Sequence, residues 1–266
     1  MLVMKVSNLE KRLLGKNTLV TGAGDGIGKQ IAIRFAKEGA NVAVNDINSE
    51  NAKKTANIVE SLGKKSMVLI ADVSKKDQVK KMVKDYFSKF DRLDILVNNA
   101  GIGASFISLI HLKEEDWDRT IDINLKSVWL VTKYFVKKMK RNKVPRDQLR
   151  GKIINLSSMA GRRGRSGLGP YCASKFGVVG LTQTFARELG RSRITINAIC
   201  PGLINTNIYG NISKDDLAGS SDPVSLKYKP VGDPKDVANV AFFLASSDSD
   251  YISGQCIGVS GGMHFI

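Results

Sequence analysis

The sequence predicts a doubly wound α/β fold, a seven-stranded parallel sheet with helices on both faces, in one domain spanning residues 1–266. Two observations carry this reading. Seven short apolar runs alternate with segments whose apolar residues recur at every third and fourth position, and that alternation gives strands paired in parallel through helical crossovers. The runs are also nearly continuous in apolar character, as strands covered on both faces are, whereas a half-exposed strand alternates.

The first strand pattern covers 18–20 and runs into Thr21-Gly22-Ala23-Gly24-Asp25-Gly26-Ile27-Gly28, which opens a helical pattern over 29–37. A strand at 41–45 closes on Asp46, and a helix at 50–62 leads to a strand at 67–71. A helix at 77–90, with Ser74 as its candidate cap, precedes a strand at 95–98 and one long helix over 115–140. A polar connection, 140–151, contains Pro145 and leads to a strand at 152–156. The helix at 171–188 and the strand at 195–200 are followed by an aperiodic stretch, 205–228, read as a substrate loop lying within about 203–230. Asp233 is the candidate cap of the helix at 234–244, and a strand at 255–259 completes the sheet.

In such a sheet, ligands bind beyond the carboxyl ends of the strands, near the point where strand order reverses. Gly22, Asp46, Asp72, Asn98, Ser158 and Pro201 each end or follow a strand pattern, so the fold gathers them on one edge.

Composition excludes several function classes. The formal net charge of +16 invites a polyanion, but the lysines fall mostly on polar helix faces without interleaved stacking aromatics, so no nucleic-acid partner is expected. No run of about 18 apolar residues exists to span a membrane, and the first residues lack the apolar core of a signal peptide, so a soluble, cytoplasmic protein is expected. Cys172, Cys200 and Cys256 are far apart in sequence with no Cys-x-x-Cys, which points to packing rather than to a disulfide or zinc site. His111 and His264 have no spacing for a metal or a nucleophile triad.

The glycine turn carries the first chemistry. Gly22 and Gly26 suit positive φ and a backbone close to a pyrophosphate, Gly28 permits tight helix packing, and the helix N-terminus adds amide donors. Asp46 stands at about the ~20-residue distance at which a carboxylate meets an adenosine ribose. Far downstream, Tyr171-Cys172-Ala173-Ser174-Lys175 puts a phenol and an ammonium on one helix face, a plausible acid/base pair.

With Asn98-Asn99-Ala100-Gly101, Ser157-Ser158 and Pro201-Gly202, these motifs make the chain resemble the short-chain dehydrogenase/reductase family, in its single-domain Tyr-x-x-x-Lys group, from about residue 16 to 262. The resemblance implies a Rossmann fold and a catalytic tetrad. Tyr171 is its proton carrier, Lys175 its phenol-tuning and ribose-binding ammonium, Ser158 its substrate-oxygen partner and Asn124 its water anchor. It further implies cofactor contacts from Gly22, Asp25, Gly26, Ile27, Gly28, Asp46, Ile47, Asp72, Val73, Asn98, Ala100, Gly101, Pro201, Gly202, Ile204 and Thr206, alongside Tyr171 and Lys175. As a lone residue, Asp72 reads equally as a cap.

Asp46, and Asp25 where phosphate-preferring relatives carry a base, point to NAD rather than NADP. The implied activity is hydride transfer between a secondary alcohol and a ketone, with 3-oxoacyl thioester reduction or small-alcohol oxidation as the leading classes. A catalytically idle dinucleotide sensor or basic interaction module is the alternative. Arg162, Arg163 and Arg165 border the implied substrate pocket and suit an anionic or carrier-linked substrate, solvent or a subunit contact. A homotetramer or homodimer through 115–140, 171–188 and the last strand, with the apolar ending Met263-His264-Phe265-Ile266 docked on a neighbour, is implied by analogy.

Overall fold

The computed structural model describes residues 11–103, 106–209 and 226–263. Seven parallel strands lie in the order β3-β2-β1-β4-β5-β6-β7. They are β1 (Asn17–Thr21), β2 (Asn41–Asp46), β3 (Ser66–Ile70), β4 (Ile95–Asn98), β5 (Gly151–Leu156), β6 (Ile194–Pro201) and β7 (Cys256–Val259). Each expected strand is present within a residue or two of its expected bounds. The order reverses between β1 and β4, where the chain returns from the β3 edge to pair Thr18 with Ile95 and Val20 with Val97.

Successive strand residues serve opposite faces, which accounts for runs apolar at nearly every position. Leu19, Ala43, Leu69, Leu96, Ile153 and Ile196 pack beneath α3 (Lys76–Lys89) and the helix ending at Met139, through Val79, Met82, Tyr86 and Phe135. Val20, Val42, Val44, Val97, Ile154 and Ile199 meet α1 (Gly26–Lys37), α2 (Ser49–Ser61) and the last helix through Ile31, Phe35, Val59 and Val237. Both layers are buried, as a doubly wound sheet requires.

Two local expectations are corrected. The helix expected over 115–140 is α4 (Glu114–Ile121), a π-helical turn (Asp122–Lys126) and α5 (Ser127–Met139). Asn124 lies in this wide turn with its side chain bonded to the backbone of Ile102, in keeping with the tendency of such turns to fall at functional positions. Ser74 is not the cap of α3, because Lys75 holds that position while the Ser74 amide and hydroxyl both donate to Asp72 Oδ1, at 2.9 and 2.7 Å.

Asp233 does hold the N-cap position of the last helix, α7 (Pro234–Ala245); its amide donates to Asp236 Oδ2 at 2.7 Å and Pro234 starts the first turn. α6 (Gly169–Leu189) begins slightly earlier than expected, again at a proline, Pro170. Most of the aperiodic 205–228 stretch and residues 264–266 fall outside the described residues.

Candidate active site

The glycine turn adopts the geometry its sequence requires. Gly22 and Gly26 have φ of 60° and 56°, which a side chain would strain. A Cβ on Gly28 would collide with the Gly22 carbonyl and with Asn99 Nδ2, so only glycine lets α1 start this close to β1. Asp25 occupies the N-cap of α1 without a side-chain cap bond, leaving the first-turn amides and the helix dipole for an anion. Its Oδ2 instead accepts from Asn207 Nδ2 at 2.6 Å, which links the turn to the start of the loop after β6.

Asp46 is fixed at the end of β2. Its Oδ2 accepts the Gly24 amide at 2.8 Å and its Oδ1 accepts the Asn48 amide at 2.9 Å. The first bond holds the carboxylate against the glycine turn, and the second ties it to the N-cap residue of α2. A Cβ on Gly24 would sit 2.8 Å from Asp46 Oδ2, so this third glycine is required by the carboxylate, a role the sequence reading did not assign.

A cavity of about 490 Å³ runs along this edge, lined by Gly22, Asp25, Gly26 and Ile27 from the turn, Asp46 and Ile47 from β2, and Asp72 and Val73 after β3. Ala100, Gly101 and Thr206 complete its far side. A volume of this order suits a mostly apolar small-molecule or cofactor site. Asp72 lines the cavity and accepts the Ser74 amide and hydroxyl within its own turn; it is not the cap of α3, since Lys75 holds that position.

Asn98, which the family resemblance makes a sheet-stabilising as well as a cofactor position, ties the sheet together and is not among the residues lining the cavity. Its side chain is buried, with Nδ2 donating to Thr132 Oγ1 at 3.0 Å and Asn155 Oδ1 at 2.8 Å, because it points down from the last residue of β4 into the helix-covered face. The neighbouring Asn99 lines the cavity; its Nδ2 donates to the carbonyls of Thr21 and Gly22, each at 2.9 Å. Thr21 Oγ1 in return accepts the amides of Asn99 and Ala100, at 3.0 and 3.1 Å. These four bonds pin the glycine turn to β4. The doubled Asn98-Asn99 was the available signal, and the period-2 alternation of a strand decides which of the two faces the ligand.

Asn124, Lys175 and Tyr171 lie near one another further along the chain's path around this edge. Asn124 is buried in the π-helical turn, taking the Ile102 amide on Oδ1 at 2.8 Å and donating from Nδ2 to the Ile102 carbonyl at 3.0 Å. Gly101 lies between Asn124 and Lys175: a Cβ there would be 3.1 Å from Asn124 Oδ1 and 3.6 Å from Lys175 Nζ. Lys175 is 5% exposed, its Nζ donates to the Leu156 carbonyl at 3.0 Å, and it stands 5.6 Å from the centre of the Tyr171 ring. Burial pushes its pKa down from the ordinary lysine value to about 8.

The two serines after β5 separate clearly. Ser157 is buried and donates to the Lys175 carbonyl at 2.9 Å, a structural bond to α6. Ser158 starts the short 3₁₀ turn Met159–Gly161, its hydroxyl oxygen accepting the Ala160 amide at 3.1 Å while staying partly exposed at the sheet edge. Gly161 is needed there, since a Cβ would lie 2.6 Å from the Lys175 carbonyl. Pro201, Gly202 and Ile204 continue β6 over the same edge, with the Gly202 amide donating to Val259 at 2.9 Å and the Asn205 amide to Gly232 at 2.9 Å.

A family model described as enoyl-(acyl carrier protein) reductase matches residues 22–264. The chain is 41% identical to a 3-oxoacyl-(acyl-carrier-protein) reductase of Thermotoga maritima, over 95% of this chain and 99% of that protein. The chain belongs to the short-chain dehydrogenase/reductase family. It is also 40% identical to the (2S)-[(R)-hydroxy(phenyl)methyl]succinyl-CoA dehydrogenase subunit BbsD of Thauera aromatica, over 92% of this chain and 94% of that one. Among solved structures, carveol dehydrogenase from Mycobacterium avium in complex with NAD superposes with a TM-score of 0.87 at 31% identity, covering 95% of this chain and 98% of that one.

This short-chain dehydrogenase/reductase is therefore an oxidoreductase that works with a nicotinamide dinucleotide, as its sequence resemblance implied; nothing favours the idle-sensor alternative. The cavity fits that cofactor: two left-handed glycines, a helix start without a side-chain cap and a fixed carboxylate lie in the order a dinucleotide needs. No helix among the described residues is long and apolar enough to cross a membrane, and no metal-ligating cluster occurs among them.

Proposed function

We propose that the protein is an NADH-dependent reductase of 3-oxoacyl thioesters, interconverting a 3-oxo and a 3-hydroxy group on an acyl chain held by coenzyme A or a carrier protein. The observation that carries the chemistry is the buried Lys175 ammonium beside the Tyr171 ring, with Asn124 on the other side of Gly101. When bound, the dinucleotide supplies or takes up the hydride. Tyr171 donates its phenolic proton to the carbonyl oxygen during reduction, and Lys175 stabilises the phenolate that remains. Ser158 donates a hydrogen bond to the same oxygen. Asn124, locked to Ile102, would anchor the water through which the proton lost by Tyr171 is replenished.

The NAD preference rests on Asp46, whose carboxylate meets the adenosine ribose hydroxyls and repels a 2′-phosphate, and on Asp25, which offers a second negative charge in place of a clamp. The carrier-linked substrate is supported by two relatives whose names specify acyl-carrier-protein and coenzyme A thioesters. The spacing of Tyr171 and Lys175 favours ketone reduction over the enoyl reduction named by the family model, since enoyl reductases place the lysine where Val178 stands. Arg163 and Arg165 are the candidate contacts for an anionic or carrier-linked substrate that the family resemblance implies, whereas the Arg162 guanidinium turns to the Cys256 carbonyl on β7. A small secondary alcohol is the second reading, favoured by the NAD-bound carveol dehydrogenase. Half-exposed Trp117, Trp129 and Phe176 on α4, α5 and α6 support assembly with further copies as a homotetramer or homodimer, and a cytoplasmic setting goes with the carrier-linked substrate.

The test is a panel of 3-oxoacyl-coenzyme A esters, neutral ketones and secondary alcohols, followed by nicotinamide absorbance with wild-type enzyme and Tyr171→Phe. Thioester reduction should exceed that of neutral ketones, and Tyr171→Phe should lose at least about a hundredfold in turnover with cofactor affinity nearly intact. Turnover of the variant near wild type would remove Tyr171 from its role.

A further inference from the structure

Cys200 on β6 and Cys256 on β7, distant in sequence, are brought together by the sheet. Ala198 pairs with Cys256 and Cys200 with Gly258, so the two cysteines are diagonal neighbours on one face. Gly258 carries no side chain opposite Cys200, which leaves that part of the face to the two cysteines. Arg162 donates to the Cys256 carbonyl beside the pair, and the nearby Ser157 hydroxyl bonds the Lys175 carbonyl on α6. Cys200 is fully buried and Cys256 half-buried, so the pair opens to the surface through Cys256.

We propose that Cys200 and Cys256 form an oxidation-responsive pair that a hydroperoxide closes into a reversible disulfide, weakening dinucleotide binding at the adjoining end of β6. The Cys200 thiolate attacks the peroxide: an S–O bond forms, the O–O bond breaks, and alcohol or water leaves with a proton. Cys256 then attacks the sulfenic acid sulfur; the S–S bond forms, the S–O bond breaks, and hydroxide departs as water with the Cys256 proton. Two electrons pass from the thiols to the peroxide.

The environment sorts the two roles. The neighbouring Cys256 thiol, and then the Arg162 charge, hold the Cys200 thiol below its ordinary pKa, while Cys200 in turn pushes Cys256 up. The coupling follows from the ladder. In a parallel pair, a two-residue offset of about 6.6 Å along strands about 4.8 Å apart puts the two Cα atoms roughly 8 Å apart, beyond the ~4.4–6.8 Å of a relaxed disulfide, so closure draws the edge strand β7 along β6. Cys200 is followed by Pro201 and Gly202, and the Gly202 amide is bonded to Val259 at 2.9 Å. A bridge strained in this way is also readily reduced.

The assembled enzyme is treated with hydrogen peroxide and read by intact mass, peptide mapping and NADH binding. A loss of two hydrogen atoms, a Cys200–Cys256 cross-link, NADH affinity at least about tenfold weaker and recovery with dithiothreitol are expected. Cys256→Ser should keep the reduced enzyme's affinity and stop at a sulfenic acid on Cys200 that dimedone traps. Both thiols surviving peroxide, or oxidation confined to Cys172, would overturn the pair. A cross-link that leaves NADH affinity unchanged would overturn its coupling to the site.

Discussion

Asn124 and Ile102 hold each other by two hydrogen bonds, the Ile102 amide to Oδ1 at 2.8 Å and Nδ2 to the Ile102 carbonyl at 3.0 Å. One amide side chain thereby satisfies both polar groups of a residue just beyond Gly101, and fastens the strand-end loop to the π-helical turn. Asn124→Ala should leave that half-buried amide and carbonyl without their side-chain partner and cost about 1 kcal/mol in stability. Turnover should fall further, by about a hundredfold, because a small displacement at the reacting centre is expensive. Urea unfolding and steady-state kinetics on the same preparation check both numbers.

Lys175 makes stability depend on pH with a definite sign. Burial lowers its native pKa from 10.5 to about 8. Between those values the unfolded chain binds the proton and the folded one does not, so stability rises with pH across this window. The contribution is fully present above the unfolded pKa and lost as pH falls through about 8. Lys175→Met, which removes the titration, should flatten this part of the profile. Urea midpoints of both proteins at several pH values between those limits test it, and parallel profiles would show that the ammonium is not desolvated in the native state.

The three arginines after β5 carry two separate expectations. Arg163→Ala with Arg165→Ala should raise KM for coenzyme A-linked ketones and leave neutral ketones unchanged, with the difference shrinking as salt screens charge beyond a Debye length of ~10 Å at 0.1 M. Arg162→Ala should instead alter the β7 edge, where the guanidinium meets the Cys256 carbonyl. Equal KM changes for both ketone classes would contradict a charge-reading role for Arg163 and Arg165.

All seven strands were legible because burial on both faces writes an apolar run directly into the sequence. Gly22, Gly26 and Gly28 were legible for a related reason, since each answers a local demand of the turn. What was hidden depends on contacts between distant segments. Gly24 is required by Asp46 on the next strand, and Asn98 and Asn99 are separated only by which way the strand edge faces. The π-helical turn leaves the apolar spacing of 115–140 almost unchanged, so periodicity read it as continuous helix. Cys200 and Cys256 meet only through the register of β6 on β7, which spacing in sequence does not encode.

The account turns most on the carboxylate of Asp46, held by Gly24 and Asn48 where the adenosine ribose would lie. The direct measurement is kcat/KM of the wild-type enzyme for NADH and for NADPH with one 3-oxoacyl-coenzyme A substrate, repeated with Asp46→Ala and with Asp25→Arg/Asp46→Ser. NADH should be preferred at least about tenfold, equivalent to roughly 1.4 kcal/mol or more, with Asp46→Ala eroding the preference and the double variant reversing it. Equal efficiency with NADPH in the wild type would contradict the placement of Asp46 at the ribose.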